Sequence, residues 1–471
     1  MFLNPREDNK ELISRYQAML EGRGGFFDTL EWEDIISYYI ENMRYGEARH
    51  AADLAMETYP YSAELKLSCA EALIYDEEYA QAEEIINYLD GVMPSNPDLI
   101  VLKGIWHSMN KHPREAIELY LAAYPDYDDY FRINVLLGEE YASIENYGLA
   151  IKYFQRAVTS DPSEPNAAAR LAEIYSVSQS YTLAAHFFDK LIDRNPYNAD
   201  AWAYQGMFLL RMERYDEAIR ALEYAILLAP DKPSPYYDMA EAYNAQEEYG
   251  KVIAVLKKLL SVKPTEDPYP YVMIGESYQC LEDFENACEY FLKAVHYDPQ
   301  LARGWYGLAS VHFDSGFKKQ SLDYVRQGLA ADAYDIECLR LAWEIEESLE
   351  MYPAALSHLQ QVVNHPESTA DDYLDMAYFQ YQRGMLKQSL DTLKETRTLF
   401  PDVPEVFYHM GAVYYSLGDL QRSLSLFRKA ISTAPELSGV VNDNYPELSS
   451  VRQIRLLLEE RDPSEDEKAG R

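Results

Sequence analysis

The chain reads as an all-α solenoid of helical hairpins, on three features of its 471 residues. A helix-turn-helix unit between Asp129 and Pro162 returns at a step of 34 residues along most of the length. One position of each unit is held by a small residue almost without exception, and a proline closes many of the units. A hairpin of this size cannot bury its own apolar face, so neighbours must stack. A single array therefore replaces the roughly three domains that length alone would suggest.

Within Asp129–Pro162, Leu137, Gly138 and Tyr141 fall on one helical face and Ala150, Phe154 and Ala157 on a second. The polar pair Glu145 and Asn146 separates the two helices, and Pro162 ends the second because it has no N–H to continue the ladder. One step forward lie Leu171, Tyr175, Ala184, Phe188 and Pro196; the next brings Trp202, Gly206, Ala218, Ala225 and Pro230, and then Tyr243 and Pro264. Backwards, the closing place falls on Asp128, Pro94 and Pro60. The period and the order of Trp, Leu, Gly, Tyr, Ala, Phe, Ala and Pro resemble the tetratricopeptide repeat family over most of the chain. The resemblance implies a right-handed superhelix of about twelve repeats, with first helices lining its inner face and peptide segments as the usual ligands.

Taken in order, residues 1–28 hold an N-terminal capping helix over 8–21 and a glycine-rich turn. Asp8 or Asn9 is the expected N-cap, with Leu12, Ile13, Tyr16, Met19 and Leu20 on the covering face. Gly22, Gly24 and Gly25 stop that helix, and Asp28 with Glu31 restarts the chain as a capping box. The array then spans 29–437: Thr29–Ser62 is the first repeat, and eleven more begin near Ala63, Pro97, Phe131, Pro165, Ala199, Pro233, Pro268, Ala302, Ile336, Ala370 and Pro404. One extra residue precedes Pro268. Pro299 and Pro401 keep phase although Ala333 and Glu367 occupy the places between them, which marks the ninth and tenth repeats as divergent.

The small column is Ala48, Ala82, Ala116, Ala150, Ala184, Ala218, Val252, Ala287, Ser321, Ala355, Ser389 and Ser423. Two helices crossing at about 8–10 Å need a small side chain there. Three residues earlier an aromatic column recurs, from Tyr45 and Tyr79 to Phe284 and Tyr352, and its spacing points to packing beside the turn. Residues 438–461 should supply a C-terminal capping helix from about Pro446 to Glu460, with Val451, Ile454, Leu457 and Leu458 on one face. The acidic tail 462–471 has little to bury and is expected to be disordered.

With 79 acidic and 42 basic residues the net charge is -37, which disfavours nucleic acid as a partner. The start MFLNPREDNK has no apolar run of signal length, and no segment reaches the roughly 20 apolar residues of a membrane span, so a cytoplasmic protein without membrane insertion is expected. Cys69, Cys280, Cys288 and Cys338 lack CxxC spacing, and the nine histidines lack an HExxH or an i, i+4 pair, so no metal or cofactor is expected. No phosphate-binding glycine loop, GxSxG or nucleophile-base spacing is present, so the chain reads as a non-enzyme.

What remains is protein binding. A subset of the resembled family grips a C-terminal carboxylate with lysine, asparagine and arginine across three successive repeats. The corresponding places here hold Glu33, Ser37, Ser68, Asp98 and Leu102, so that activity is not carried over. The ninth position of the first helix, which the resemblance turns inward, carries Glu71, Glu139, Glu173, Glu241, Glu276 and Glu344. An acidic row of this kind would steer a basic segment, although Arg132 and Arg170 stand close enough in sequence to neutralise part of it. Tyr306, Phe313, Tyr378, Tyr381, Tyr408 and Tyr415 form a second candidate surface on the last first-helices, Tyr378 replacing the glutamate. The expected function is a scaffold or adaptor holding protein segments along an acidic groove. The alternative is a structural subunit assembling through its ends or convex face with the groove empty.

Overall fold

A computed structural model of the chain describes residues 5–162 and 164–459, and the described residues are helix, turn and loop with no β-strand. The chain divides into two compact units, Met1–Asp238 and Met239–Arg471, with the passage between them inside the helix Ser234–Ala245. In the first unit, Thr29–Glu41 pairs with Tyr45–Thr58, Ala63–Tyr75 with Tyr79–Val92, and Pro97–Met109 with Pro113–Ala123. Tyr130–Ser143 pairs with Tyr147–Ser160, Pro165–Val177 precedes Tyr181–Arg194, and Ala199–Arg211 pairs with Tyr215–Leu228. The helix Tyr249–Val262 follows, and the second unit continues with five hairpins. These join Tyr269–Cys280 to Phe284–Tyr297, Ala302–Asp314 to Lys318–Ala331, Ile336–Ser348 to Tyr352–Val363, Ala370–Gln382 to Leu386–Leu399, and Val406–Ser416 to Leu420–Thr433.

Every one of these hairpins turns through a residue in the left-handed region. Met43, Glu77, Lys111, Glu145, Gln179, Glu213, Glu247, Glu282 and Glu350 adopt φ between 52° and 64°, and Gly316, Gly384 and Gly418 between 73° and 85°. The first helix is thereby closed by a 6→1 bond, as where Asn146 N–H donates to Tyr141 O at 2.8 Å. A side chain in this conformation costs roughly 1 kcal/mol. Nine repeats accept that cost because the turn brings the second helix back at a fixed angle.

The small column is what that angle requires. From Ala48 to Ser423 its twelve residues are at most 1% exposed. At two of the three serines the hydroxyl is satisfied across the hairpin, Ser321 donating to Ala309 O and Ser389 to Ala377 O, each at 2.7 Å, whereas the buried Ser423 hydroxyl has no protein partner. Facing the crossing, a glycine meets a large residue sixteen positions later. A Cβ on Gly104, Gly138, Gly206 or Gly275 would stand within 2.3–2.8 Å of Tyr120, Phe154, Leu222 or Phe291 respectively. In the first repeat the sizes are exchanged, with Ile36 and Ala52 both buried. The tyrosine and phenylalanine column sits half-buried at the first position of the second helices.

The N-terminal helix runs Pro5–Leu20, three residues earlier than the proposed caps, because proline at the first helical position has no N–H to leave unpaired. Leu12, Ile13 and Tyr16 are buried, whereas Leu20 is exposed and does not join the covering face. Tyr16 meets Phe27, Trp32 and Tyr39 edge-on at 6.2, 5.7 and 5.9 Å, which seals the first repeat. The Asp28–Glu31 capping box is formed, with reciprocal bonds of 2.9 and 3.0 Å. At the other end a 3-10 turn Pro435–Ser438 and a short helix Gly439–Asn444 precede the expected last helix, which is itself divided into a second turn Pro446–Ser450 and the helix Arg452–Glu459. Pro446 cannot continue the short helix, and Val451 is extended before the last one begins. The tail 462–471 and Glu460 lie outside the described residues.

Phe291 is held between two glycines, since a Cβ on Gly307 of the next first helix would also approach its ring to 2.4 Å. Gly307→Ala should overpack this contact and cost about 1–3 kcal/mol. Adding Phe291→Leu should recover part of the loss. The thermal midpoint and hydrogen exchange over residues 284–314 measure both, and an unchanged single variant would show that the ring has room to move.

Candidate partner-binding grooves

The glutamates at the ninth position come from one register of successive first helices, so helix geometry alone puts them on equivalent faces. At least four of the six are engaged by arginines of the chain itself. Arg132 pairs with Glu71, sixty-one residues away in sequence. Arg170 grips Glu139 with two bonds of 2.8 and 2.6 Å and also pairs with Glu173. Arg303 holds Glu276 through Nε and Nη2 at 2.6 and 2.9 Å. Such forked pairs are stronger than a point contact and leave the carboxylate little capacity for a second cation. Glu241 is exposed on Ser234–Ala245. Glu344 keeps solvent contact, but desolvation, then Glu347 and Asp314, raise its carboxyl above the ordinary range.

The aromatic candidates divide in the same way. Tyr306 and Phe313 are half-buried against the core that their hairpin shares with the next first helix, Ile336–Ser348; burial, then Glu337 and Glu344, push the Tyr306 hydroxyl upward. Tyr408 is a correction to the sequence reading: it is wholly buried, and its hydroxyl donates to Ala434 O at 2.9 Å, so it presents nothing to a partner. Tyr378, Tyr381 and Tyr415 pack against the chain's own C-terminal segment. Tyr445 of that segment meets the Tyr378 and Tyr381 rings edge-on at 5.7 and 4.8 Å.

The open acidic surface lies elsewhere, on the first three repeats. There the first helices Thr29–Glu41, Ala63–Tyr75 and Pro97–Met109 touch one another as well as their own partners, so they form one wall. The groove along it has a volume of about 400 Å³. Half-buried Leu67 and Met93 give it a small apolar surface over Val101, Leu102 and Ile105, which are at most 3% exposed, and Glu33, Asp34, Glu64, Glu71 and Asp98 supply five carboxylates against the single guanidinium of Arg132. Desolvation raises the Glu33 carboxyl, helped by Glu64, Asp34 and Asp28, and raises that of Asp34, helped by Asp28 and Glu31. Ser37, Ser68, Asp98 and Leu102 had counted only as departures from a basic clamp. Of these only Asp98 is charged; with Glu33 it places a carboxylate where the clamp has a lysine, a reversal at two positions outside the ninth-position row.

A second crowd of carboxylates surrounds Asp375 on Ala370–Gln382. Desolvation, then Asp372, Glu344, Asp371 and Glu347, push its carboxyl up to about 6, from an ordinary value of 3.8. Arg340 does not relieve it, being bound to Asp372 at 2.9 and 2.8 Å and to Glu337 at 2.8 Å. A value raised on folding means that the folded chain holds the proton longer, so ionising Asp375 removes stability as pH rises from about 4 to 6. Asp375→Asn should therefore stabilise the chain at pH 7. The side chain keeps solvent contact, so screening should hold the gain to the order of 1 kcal/mol. The gain should fade below pH about 4. Thermal melts of both proteins at each pH measure the difference; equal midpoints at pH 7 would remove the argument.

Among the described residues no helix is long and apolar enough to cross a membrane, and no three His, Cys, Asp or Glu side chains gather as metal ligands. Tetratricopeptide repeat models match residues 110–165, 209–270, 269–301 and 404–437, and a model of anaphase-promoting complex, cyclosome, subunit 3 matches 144–225. TPR repeat-containing protein YpiA of Bacillus subtilis is 23% identical over 365 residues, 74% of this chain and 84% of that protein. TPR repeat-containing protein MJ1428 of Methanocaldococcus jannaschii is 21% identical over 402 residues, 79% of this chain and 70% of that one. Cell division cycle protein 27 homolog A of Arabidopsis thaliana is 27% identical over 261 residues; the match takes in 55% of this chain but only 36% of that protein. With its succession of helical hairpins and these matches along its length, the chain is a tetratricopeptide repeat protein, built on a fold of protein-interaction scaffolds.

Proposed function

We propose that the protein is a non-catalytic scaffold that holds a basic, partly apolar protein segment in the groove of its first three repeats. The observation that carries this is the charge of that groove: five carboxylates and one guanidinium around an apolar floor. An extended segment alternating lysine or arginine with apolar residues complements both features, and the field of the carboxylates would speed its approach. The uptake of the Arg132 guanidinium by Glu71 supports this reading. The ninth-position row in repeats four to eight is the weaker candidate, because Arg170 and Arg303 occupy Glu139, Glu173 and Glu276.

A second reading, a structural subunit of a larger assembly, is favoured by the match of residues 144–225 to an assembly-subunit model. It would have the chain assemble through its ends or convex face with no peptide in the groove, and it predicts concentration-dependent size on gel filtration.

The test uses labelled synthetic peptides that alternate lysine and leucine, titrated into the parent and into a variant carrying Glu33→Lys, Asp34→Lys, Glu64→Lys and Asp98→Lys. Each exposed pair should contribute about 0.2–1 kcal/mol, so the four reversals together should weaken binding at least about fourfold. Binding to the parent should fall with added salt, because exposed charges are screened over about 8 Å at physiological ionic strength. A helical variant that binds the peptides as tightly as the parent would leave the groove a solvated face.

A further inference from the structure

The tetrapeptide Pro-Glu-Leu-Ser occurs twice near the C-terminus, at 435–438 and 446–449, and each copy starts a 3-10 turn. Their fates differ. No side chain of the first turn is buried, whereas Leu448 of the second is buried completely. The difference lies in the residue before the proline, Ala434 in one case and Tyr445 in the other. Tyr445 is 1% exposed and sits in a cage of Tyr378, Tyr381 and His409, its ring edge-on to them at 5.7, 4.8 and 5.6 Å. Its hydroxyl lies 2.6 Å from His409 Nδ1. One turn further on, Glu447 accepts from the Tyr381 hydroxyl at 2.7 Å.

Sealing the last hairpin does not need these contacts. A cap has to cover apolar surface on the final helices, and Val441 and Ile454, both fully buried, do so from the two short helices. Tyr445 and Glu447 do something else. They reach back past the last repeat to Tyr378 and Tyr381 of the first helix Ala370–Gln382, one repeat earlier, while the Tyr445 hydroxyl also meets His409 of Val406–Ser416, so the segment spans two first helices with an aromatic anchor and two directional polar bonds. An anchor in a cage, flanked by oriented hydrogen bonds, is the anatomy of a bound peptide. We infer that the first-helix face of the last two repeats is a ligand site whose occupant is the chain's own Tyr445–Leu448 segment, a latch that must lift before that face takes any other segment.

The probe is a labelled synthetic peptide of residues 439–451, offered to the full chain and to Tyr445→Ala, with hydrogen exchange over 404–433 as the check on folding. The parent should bind it weakly because the site is filled. Tyr445→Ala should keep the protection of 404–433 and bind the peptide at least about tenfold more tightly, a difference of about 1.4 kcal/mol. A peptide carrying the same Tyr445→Ala change should bind neither protein. If Tyr445→Ala loses protection across 404–433, Tyr445→Phe decides: it keeps the ring and drops only the hydroxyl bond, and should bind more peptide than the parent. The inference is overturned if the parent binds as well as the variants, or if a variant with intact protection does not bind. It does not depend on the acidic groove of the first three repeats, which this peptide does not probe.

Discussion

The close crossing of two helices within each hairpin is the constraint on which the rest depends. Two backbones come near enough to pack only if one side offers a residue no larger than alanine, serine or valine, and all twelve such positions are sealed from solvent. The opposite side of the crossing is matched by volume. A glycine faces Phe154, Phe291 or Tyr120, and where the first helix carries Ile36 the second carries Ala52. Interiors packed to crystal density tolerate such an exchange and resist a change on one side only. The left-handed turn residue serves the same geometry, and glutamate or methionine there accepts local strain that the packing over-determines.

Once hairpins repeat at a fixed angle, charge placement becomes a question of which repeats meet. A chain with a net charge of -37 must separate or neutralise its carboxylates wherever they are brought together. It does both. Arg132, Arg170, Arg303 and Arg340 each reach a carboxylate of a different repeat, which turns part of the inward acid into cross-repeat braces. The first three repeats are left with five carboxylates around one arginine, and Asp375 is left among four acidic neighbours. Pairing and crowding thus occur on equivalent helical faces, and the distinction between a brace and an open surface comes from the arginines alone.

The two ends of the chain solve one problem differently. An end repeat exposes the apolar face that a neighbour would cover. At the N-terminus a regular helix suffices, with Tyr16 set edge-on into Phe27, Trp32 and Tyr39. At the C-terminus two short helices provide the cover, and the stretch between them turns back instead of continuing outward. Tyr445 in its cage then removes from solvent aromatic residues that a repeat pattern alone would leave facing a partner.

By itself the sequence determined whatever is local or periodic: the pairing of helices, the 34-residue step, the small column and the Asp28–Glu31 capping box. Helix geometry fixes which residues share a face, so period and face are legible without coordinates. It also put Glu71 and Glu139 on equivalent helical faces, but did not give their partners. That Arg132 meets Glu71 across sixty-one residues, and that Arg170 forks onto Glu139, follow from the angular step between hairpins and the reach of a long side chain, which no period records. Tyr408 and Tyr381 look alike in the sequence, yet one is buried against Ala434 and the other holds Glu447. Only the tertiary structure decided between them, because burial depends on the non-repeating segment after Pro435, where a proline and a buried tyrosine send the chain back over its own repeats.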